Sequence, residues 1–90
     1  MSEQTISGKQ QAILDQLYDA VLNGETDRCV AAAEQSLEAG IPPLMAIVQG
    51  LTPGIREVGD RFGRMELFLP EMVLSAKAMQ AAVAVLEPHF

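Results

Sequence analysis

Six apolar residues in the middle of this chain, Leu44, Val48, Leu51, Ile55, Val58 and Phe62, are separated by 4, 3, 4, 3 and 4 positions, and Met65 extends the series. That rhythm is the signature of one face of an α-helix. Pro53 falls inside it, yet the phase after the proline is the phase before it. A chain that left the helix at Thr52 and began a new one would have no reason to keep register. The spacing therefore predicts one long helix kinked at Pro53, where the ring displaces the carbonyl of Gln49 and leaves it without its usual partner. Thr52 as N-cap with Pro53 at the first helical position is the competing reading.

The flanking segments carry the same period. From Gln11 to Leu22 the positions Ile13, Leu14, Leu17, Tyr18, Val21 and Leu22 share one side of a helix, and Asn23-Gly24 ends it. Thr26 is placed to cap a second helix whose inner side is Cys29, Val30, Ala33 and Leu37, with a stop at Gly40. Pro42 and Pro43 suit the entry of the third helix, Gly63 its exit, and Pro70 the entry of a fourth. There Leu69, Met72, Ala76, Met79, Val83 and Leu86 step by 3, 4, 3, 4 and 3 until Pro88. With 90 residues, four aromatics and twelve alanines, the chain has room for one aliphatic core in which backbones approach closely. The expected fold is all-α: an up-and-down four-helix bundle over residues 9–88, preceded by a disordered stretch over residues 1–8.

Charge and residue inventory exclude several functions. A net charge of −6, with arginines that form no stripe, argues against nucleic acid and anionic membranes as partners. A polar N-terminus and the absence of eighteen uninterrupted apolar residues argue against a signal peptide or membrane span, so the expected compartment is the cytoplasm. Cys29 has no second cysteine to pair with and no nearby cation to activate it, and reads as a buried, inert thiol. His89, the only histidine, stands beside the C-terminus with no catalytic company. The acidic pairs Asp15/Asp19 and Glu34/Glu38 lack histidine partners and read as solvated faces rather than a metal site. No nucleophile–base pair is visible, which speaks against an enzyme.

The run from Val58 to Met79 stands apart. It puts Phe62, Leu67, Phe68, Leu69 and Met72 around a connection between helices, more apolar surface than a loop normally needs. Either these side chains fold back and plug the bundle end, or they face outward to meet something.

The order of small motifs is similar to a known family. A helix start after Gly40-Ile41-Pro42-Pro43, Gly50-Leu51 followed by Pro53-Gly54, Val58-Gly59, Phe62, Leu69-Pro70, Ala78-Met79 and a closing Leu86-Glu87-Pro88 together resemble the helical cap domain of cobalamin-dependent methyl-transfer proteins. That family includes the cap of methionine synthase and the N-terminal domain of the small corrinoid proteins of methanol, methylamine and demethylase systems. The resemblance runs from about residue 11 to residue 88. It implies a bundle that covers the upper face of a cobalamin and shields the cobalt-bound methyl group, with Phe62 and Leu69 at the family's contact positions. Met72, one turn beyond Leu69, joins them by helical geometry. Met65-Glu66 departs from the Gly-Glu frequent in relatives, which implies a different loop path around Met65.

The resemblance also implies partners: a corrinoid-binding α/β domain, normally in the same chain and supplying the axial histidine in an Asp-x-His-x-x-Gly motif, and a corrinoid methyltransferase. Nothing in Glu87-Pro88-His89-Phe90 carries that motif. The α/β domain is thus expected to be absent here, with the chain a cap cut from a longer corrinoid protein. The alternative is an autonomous helical protein-interaction module or homodimerisation domain using the same apolar patch.

Overall fold

A computed structural model describes residues 7–90. The described chain is helical throughout: Gly8–Leu22, Thr26–Glu38, a third helix assembled from Pro43–Ala46, Ile47–Leu51 and Thr52–Gly63, and Leu69–Leu86, which ends in a short 3₁₀ turn, Glu87–His89. This is the expected four-helix bundle. The expectation of disorder over residues 1–8 lies outside the described residues for 1–6, whereas Ser7 and Gly8 belong to a defined helix start. The Ser7 hydroxyl accepts the Gln10 N–H at 3.1 Å, and the Ser7 N–H donates to Gln10 Oε1 at 3.2 Å. Gln10 Nε2 donates in turn to the Ala39 carbonyl at 2.9 Å, tying the start of the first helix to the end of the second.

The third helix passes through Pro53 without a loop. Its irregularity is a π turn over Ile47–Leu51, just before the proline, in which the Thr52 N–H reaches back five residues to the Ile47 carbonyl. The widened turn lies where a proline ring presses on the carbonyl four residues earlier, which gives the irregularity a local cause. At the second helix the sequence expectation needs correction: Thr26 is already helical, and Glu25 holds the cap position without a side-chain cap bond. Glu25 pairs instead with Arg28, which also approaches Asp19 at 3.5 Å.

All three interhelical turns close in the same way. The N–H of Gly24 bonds to the Val21 carbonyl and that of Glu25 to Ala20; Gly40 and Ile41 repeat the pattern onto Leu37 and Ser36; Met65 and Glu66 repeat it onto Phe62 and Arg61. This double bond pattern requires a left-handed residue just past the helix. Gly24 at φ 65° and Gly40 at φ 78° supply it, and at the third turn Met65 does so at φ 64°. Met65 therefore lies beyond the helix rather than extending its apolar series.

The first helix buries Ile13, Leu14, Leu17 and Val21 as expected, but in the other three the side that enters the core is rotated away from the one the largest residues mark. The third helix lies along the first through Gly50 and Gly54. A methyl group on Gly50 would lie 2.9 Å from Leu17 Cδ1, and one on Gly54 would lie 2.9 Å from the Tyr18 carbonyl oxygen. The fourth helix turns Ser75, Ala78, Ala82 and Leu86 inward, chiefly against the second. Leu14, Leu17, Val21, Leu51, Val58 and Leu86 fill the space between. Small residues bring the backbones together, so bulkier neighbours stand at the flank. Leu44, Val48, Phe62 and Leu69, expected on the inner stripes, are exposed, while Val30, Leu37, Ile55, Met72, Ala76, Met79 and Val83 are only half-buried.

The stretch Leu69–His89 is long and apolar enough by length and composition to cross a membrane, and 22% of its most apolar 18-residue window is buried in the bundle. Glu71, Ser75, Lys77 and Gln80 interrupt the run, so a search for an unbroken apolar window passes over it. Ala78, Ala82 and Leu86 are fully enclosed, which makes it an integral bundle helix that also offers an apolar outer face.

Candidate functional site

The third and fourth helices meet at one end of the bundle through residues 64–68. That connection is pinned from both sides. Met65 and Glu66 close the third helix as described, and the Phe68 N–H donates to Glu71 Oε1 at 2.8 Å to open the fourth, whose first turn also holds Pro70. Arg64 Nε donates to Glu66 Oε2 at 2.8 Å, and Arg61 Nε donates to Glu57 Oε2 at 2.8 Å, with Arg64 also reaching Glu57 at 3.5 Å. The hydrogen bond and charge of Arg64 hold the Glu66 carboxyl below the usual carboxylate range. Such exposed pairs add little stability.

This hydrogen-bonded connection presents apolar side chains to solvent. Phe62 is 39% exposed, Leu69 60%, Phe68 78% and Met65 91%, so they do not plug the bundle end. With Gly63 and Leu67 they line a shallow hollow of about 530 Å³. Phe62 and Leu69, predicted from the sequence as site residues, are thus brought together on one surface. Met72 is not part of its lining and is half-buried one turn further along the fourth helix. The hollow includes Met65, Leu67 and Phe68, which were not assigned to the site; the signal was a short helix connection with consecutive large apolar residues.

The Met65 backbone is costly. A side-chain-bearing residue in the left-handed region gives up roughly 1–2 kcal/mol, which glycine avoids. Since its side chain is almost fully exposed, no packing within the bundle offsets this.

The remaining chemically versatile residues do not converge there. Cys29 is fully buried, and burial pushes its thiol up to about 11, far from a reactive thiolate. His89 sits at the opposite end of the bundle, beside an apolar hollow it shares with Pro42, Pro43, Leu44 and Phe90. Asp15 accepts a hydrogen bond from Gln11 at 3.0 Å, and Asp19 faces Arg28. Among the described residues no three His, Cys, Asp or Glu side chains are grouped to hold a metal ion. An open groove of about 390 Å³ between the third and fourth helices is lined by Ile55, Ala76, Met79, Gln80, Val83, Ala84 and Glu87 and continues the apolar flank along the bundle.

Comparison with known proteins supplies a context for this surface. Residues 13–87 match the family model described as B12 binding domain. The chain is 45% identical over 79 residues to monomethylamine corrinoid protein 1 of Methanosarcina acetivorans, an alignment covering 88% of this chain and 36% of that protein. It is 34% identical over 84 residues to trimethylamine corrinoid protein 2 of Methanosarcina mazei, covering 93% and 38% respectively. The solved structure of the Methanosarcina barkeri monomethylamine corrinoid protein superimposes with a TM-score of 0.86 at 40% identity, covering 89% of this chain and 38% of that one. The chain thus spans a little over a third of the length of these relatives.

Proposed function

Because the chain belongs to the B12 binding domain family, we propose that it serves as the cap of a corrinoid methyl-carrier protein, with Phe62 and Leu69 lying against the upper face of the cobalamin. The observation that carries this reading is the exposure of both side chains on one apolar hollow, held by a loop whose backbone is fixed at each end. A corrinoid ring is broad and flat, and a shallow apolar wall fits one side of it. The hollow is lined by no histidine or cysteine; as the family resemblance implies, the histidine that would ligate cobalt would come from a separate α/β domain, which we place in the same functional protein. The cobalt supplies the methyl-carrying chemistry when the group is bound.

The part played by this chain's own residues is exclusion and release. Phe62 and Leu69 displace water from one side of the site, and the cap as a unit moves away when a methyltransferase needs access. It performs no bond chemistry itself. We assign it to the cytoplasm, a compartment that a single buried, unpaired cysteine suits. Met72, half-buried and outside the lining of the hollow, is proposed as a secondary member of the site next to Leu69 along the fourth helix.

The test mixes this chain with a corrinoid-binding α/β domain and methylcobalamin. We expect the chain to bind free cobalamin weakly or not at all, because one wall does not enclose a ligand, and to associate once the α/β domain has loaded the cofactor. Photolysis of the cobalt–methyl bond should slow on association, and Phe62→Ala or Leu69→Ala should restore the faster rate. Micromolar binding by the chain alone, or no mutual association of the three components, overturns the proposal and favours a helical interaction module.

A further inference from the structure

Three turns in this molecule close with the same pair of backbone hydrogen bonds, and each needs a left-handed residue at the same place. Two of the three use glycine, Gly24 and Gly40, the residue for which that conformation carries no steric penalty. The third, at the end that bears the apolar hollow, uses Met65. Residues held in such sparsely populated conformations cluster at ligand-binding sites and switch regions. Inside this domain the Met65 side chain does almost nothing: it is 91% exposed, and it lines the hollow together with Phe62 and Leu69.

We propose that Met65 is a further positioning residue of the cap, held in the left-handed conformation so that its side chain reaches over the rim of the hollow and packs on the bound corrinoid. The inference rests on the cap reading above and extends it to a residue the sequence left aside. Methionine suits the task physically. Its unbranched, polarizable chain adapts to an irregular edge, and its burial on the ligand offsets the backbone cost that the free cap carries uncompensated. Phe62 and Leu69 form the floor of the surface, fixed by helix ends, and Met65 forms a flexible edge that closes only on contact.

The proposal makes stability and association move in opposite directions. Met65→Gly should raise the melting midpoint of the isolated chain, because it relieves the left-handed residue and removes no packing. In the assembly with a corrinoid-binding α/β domain and methylcobalamin, the same variant should weaken association by about fivefold to tenfold, the loss expected when one partly buried methionine contact is removed. Photolysis of the methyl group should quicken accordingly. Met65→Leu, which keeps an apolar side chain and the strained backbone, should restore most of the association without the gain in melting midpoint.

A Met65→Gly chain that is more stable and associates as well as wild type, while Phe62→Ala still weakens association, overturns the role of Met65 and leaves the cap reading intact. Loss of association by Met65→Leu equal to that by Met65→Gly also overturns it, since side-chain burial was to be the cause. If neither Phe62→Ala nor Met65→Gly changes association or photolysis, the cap reading falls and this inference falls with it.

Discussion

Replacing Gly54 with alanine tests the packing that decides which residues face outward. On an ideal helix the change is favourable by about 0.8–1 kcal/mol, because alanine is the better helix former. Here the new methyl carbon would lie 2.9 Å from the Tyr18 carbonyl oxygen and 3.1 and 3.2 Å from Val21 Cβ and Cγ1. The nearest atom belongs to the backbone of another helix and has no rotamer to escape into. Relief requires the first and third helices to part, at an overpacking cost of roughly 1–3 kcal/mol. Taking the middle of that range, the net expectation is a loss of about 1 kcal/mol, or a drop in melting midpoint of roughly 4–8 °C for a domain this small.

Gly59 supplies the control. It lies on the same helix, and a methyl group there has nothing within 4 Å. Gly59→Ala should therefore keep the propensity gain and stabilise by about 0.5–1 kcal/mol. Urea melts of the wild type and the two variants, read at constant slope, measure both signs. A neutral or stabilising Gly54→Ala would falsify the close approach of the two helices. The explanation of why Leu44, Val48 and Phe62 stand outside would fall with it.

Cys29 should resist a thiol reagent such as DTNB at pH 8 in the native protein and react fully in urea, and rapid native labelling would contradict its burial. Its raised pKa also sets a pH dependence: below 9.0 the thiol is neutral in both states, whereas between 9.0 and about 11 it ionises only when unfolded, so stability falls as pH rises. Two pH units correspond to about 2–3 kcal/mol, to be read as a shrinking difference between wild type and Cys29→Ala across that window; a constant difference refutes it. Phe62→Ala should cost only about 1–2 kcal/mol in the isolated chain, since part of the ring is already in water, against about 2–5 kcal/mol for Leu51→Ala in the closed core. Equal losses in denaturant melts would return Phe62 to the core.

Much of the backbone was legible because it rests on strong local signals. Preserved phase across Pro53 announced a continuous helix, and Gly24 and Gly40 announced stops that the structure closes with left-handed turns. The π turn was not legible, since nothing in the spacing distinguishes a five-residue from a four-residue hydrogen bond over a single turn. Nor was the rotation of the third and fourth helices. Periodicity weighs residues by apolarity, and on that scale Leu44 outranks Gly50 and Met79 outranks Ser75. Close packing reverses the order, because Gly50, Gly54, Ala78 and Ala82 admit a neighbouring backbone where a leucine does not. Phe62 and Leu69 were assigned to the site by motif rather than by period, and the structure leaves both exposed on one hollow. Met72 was placed by counting one turn from Leu69, and it is half-buried and does not line the hollow.

The two features that sequence reading treats separately, small residues inside and large ones outside, are a single device. A bundle held by alanine and glycine contacts can leave leucine, phenylalanine and methionine at its end without losing its core, because Leu14, Leu17, Leu51 and Leu86 remain fully enclosed. The exposed end then invites self-association, which a net charge of −6 opposes through mutual repulsion. For a cap that must lift off, the shallowness of the hollow matters as much as its apolarity. A deep pocket would hold its ligand through each cycle, whereas one wall made by a few side chains releases it. On the proposed reading, the rigid turn supplies position, the exposed side chains supply reversible contact, and the core that carries stability lies apart from both.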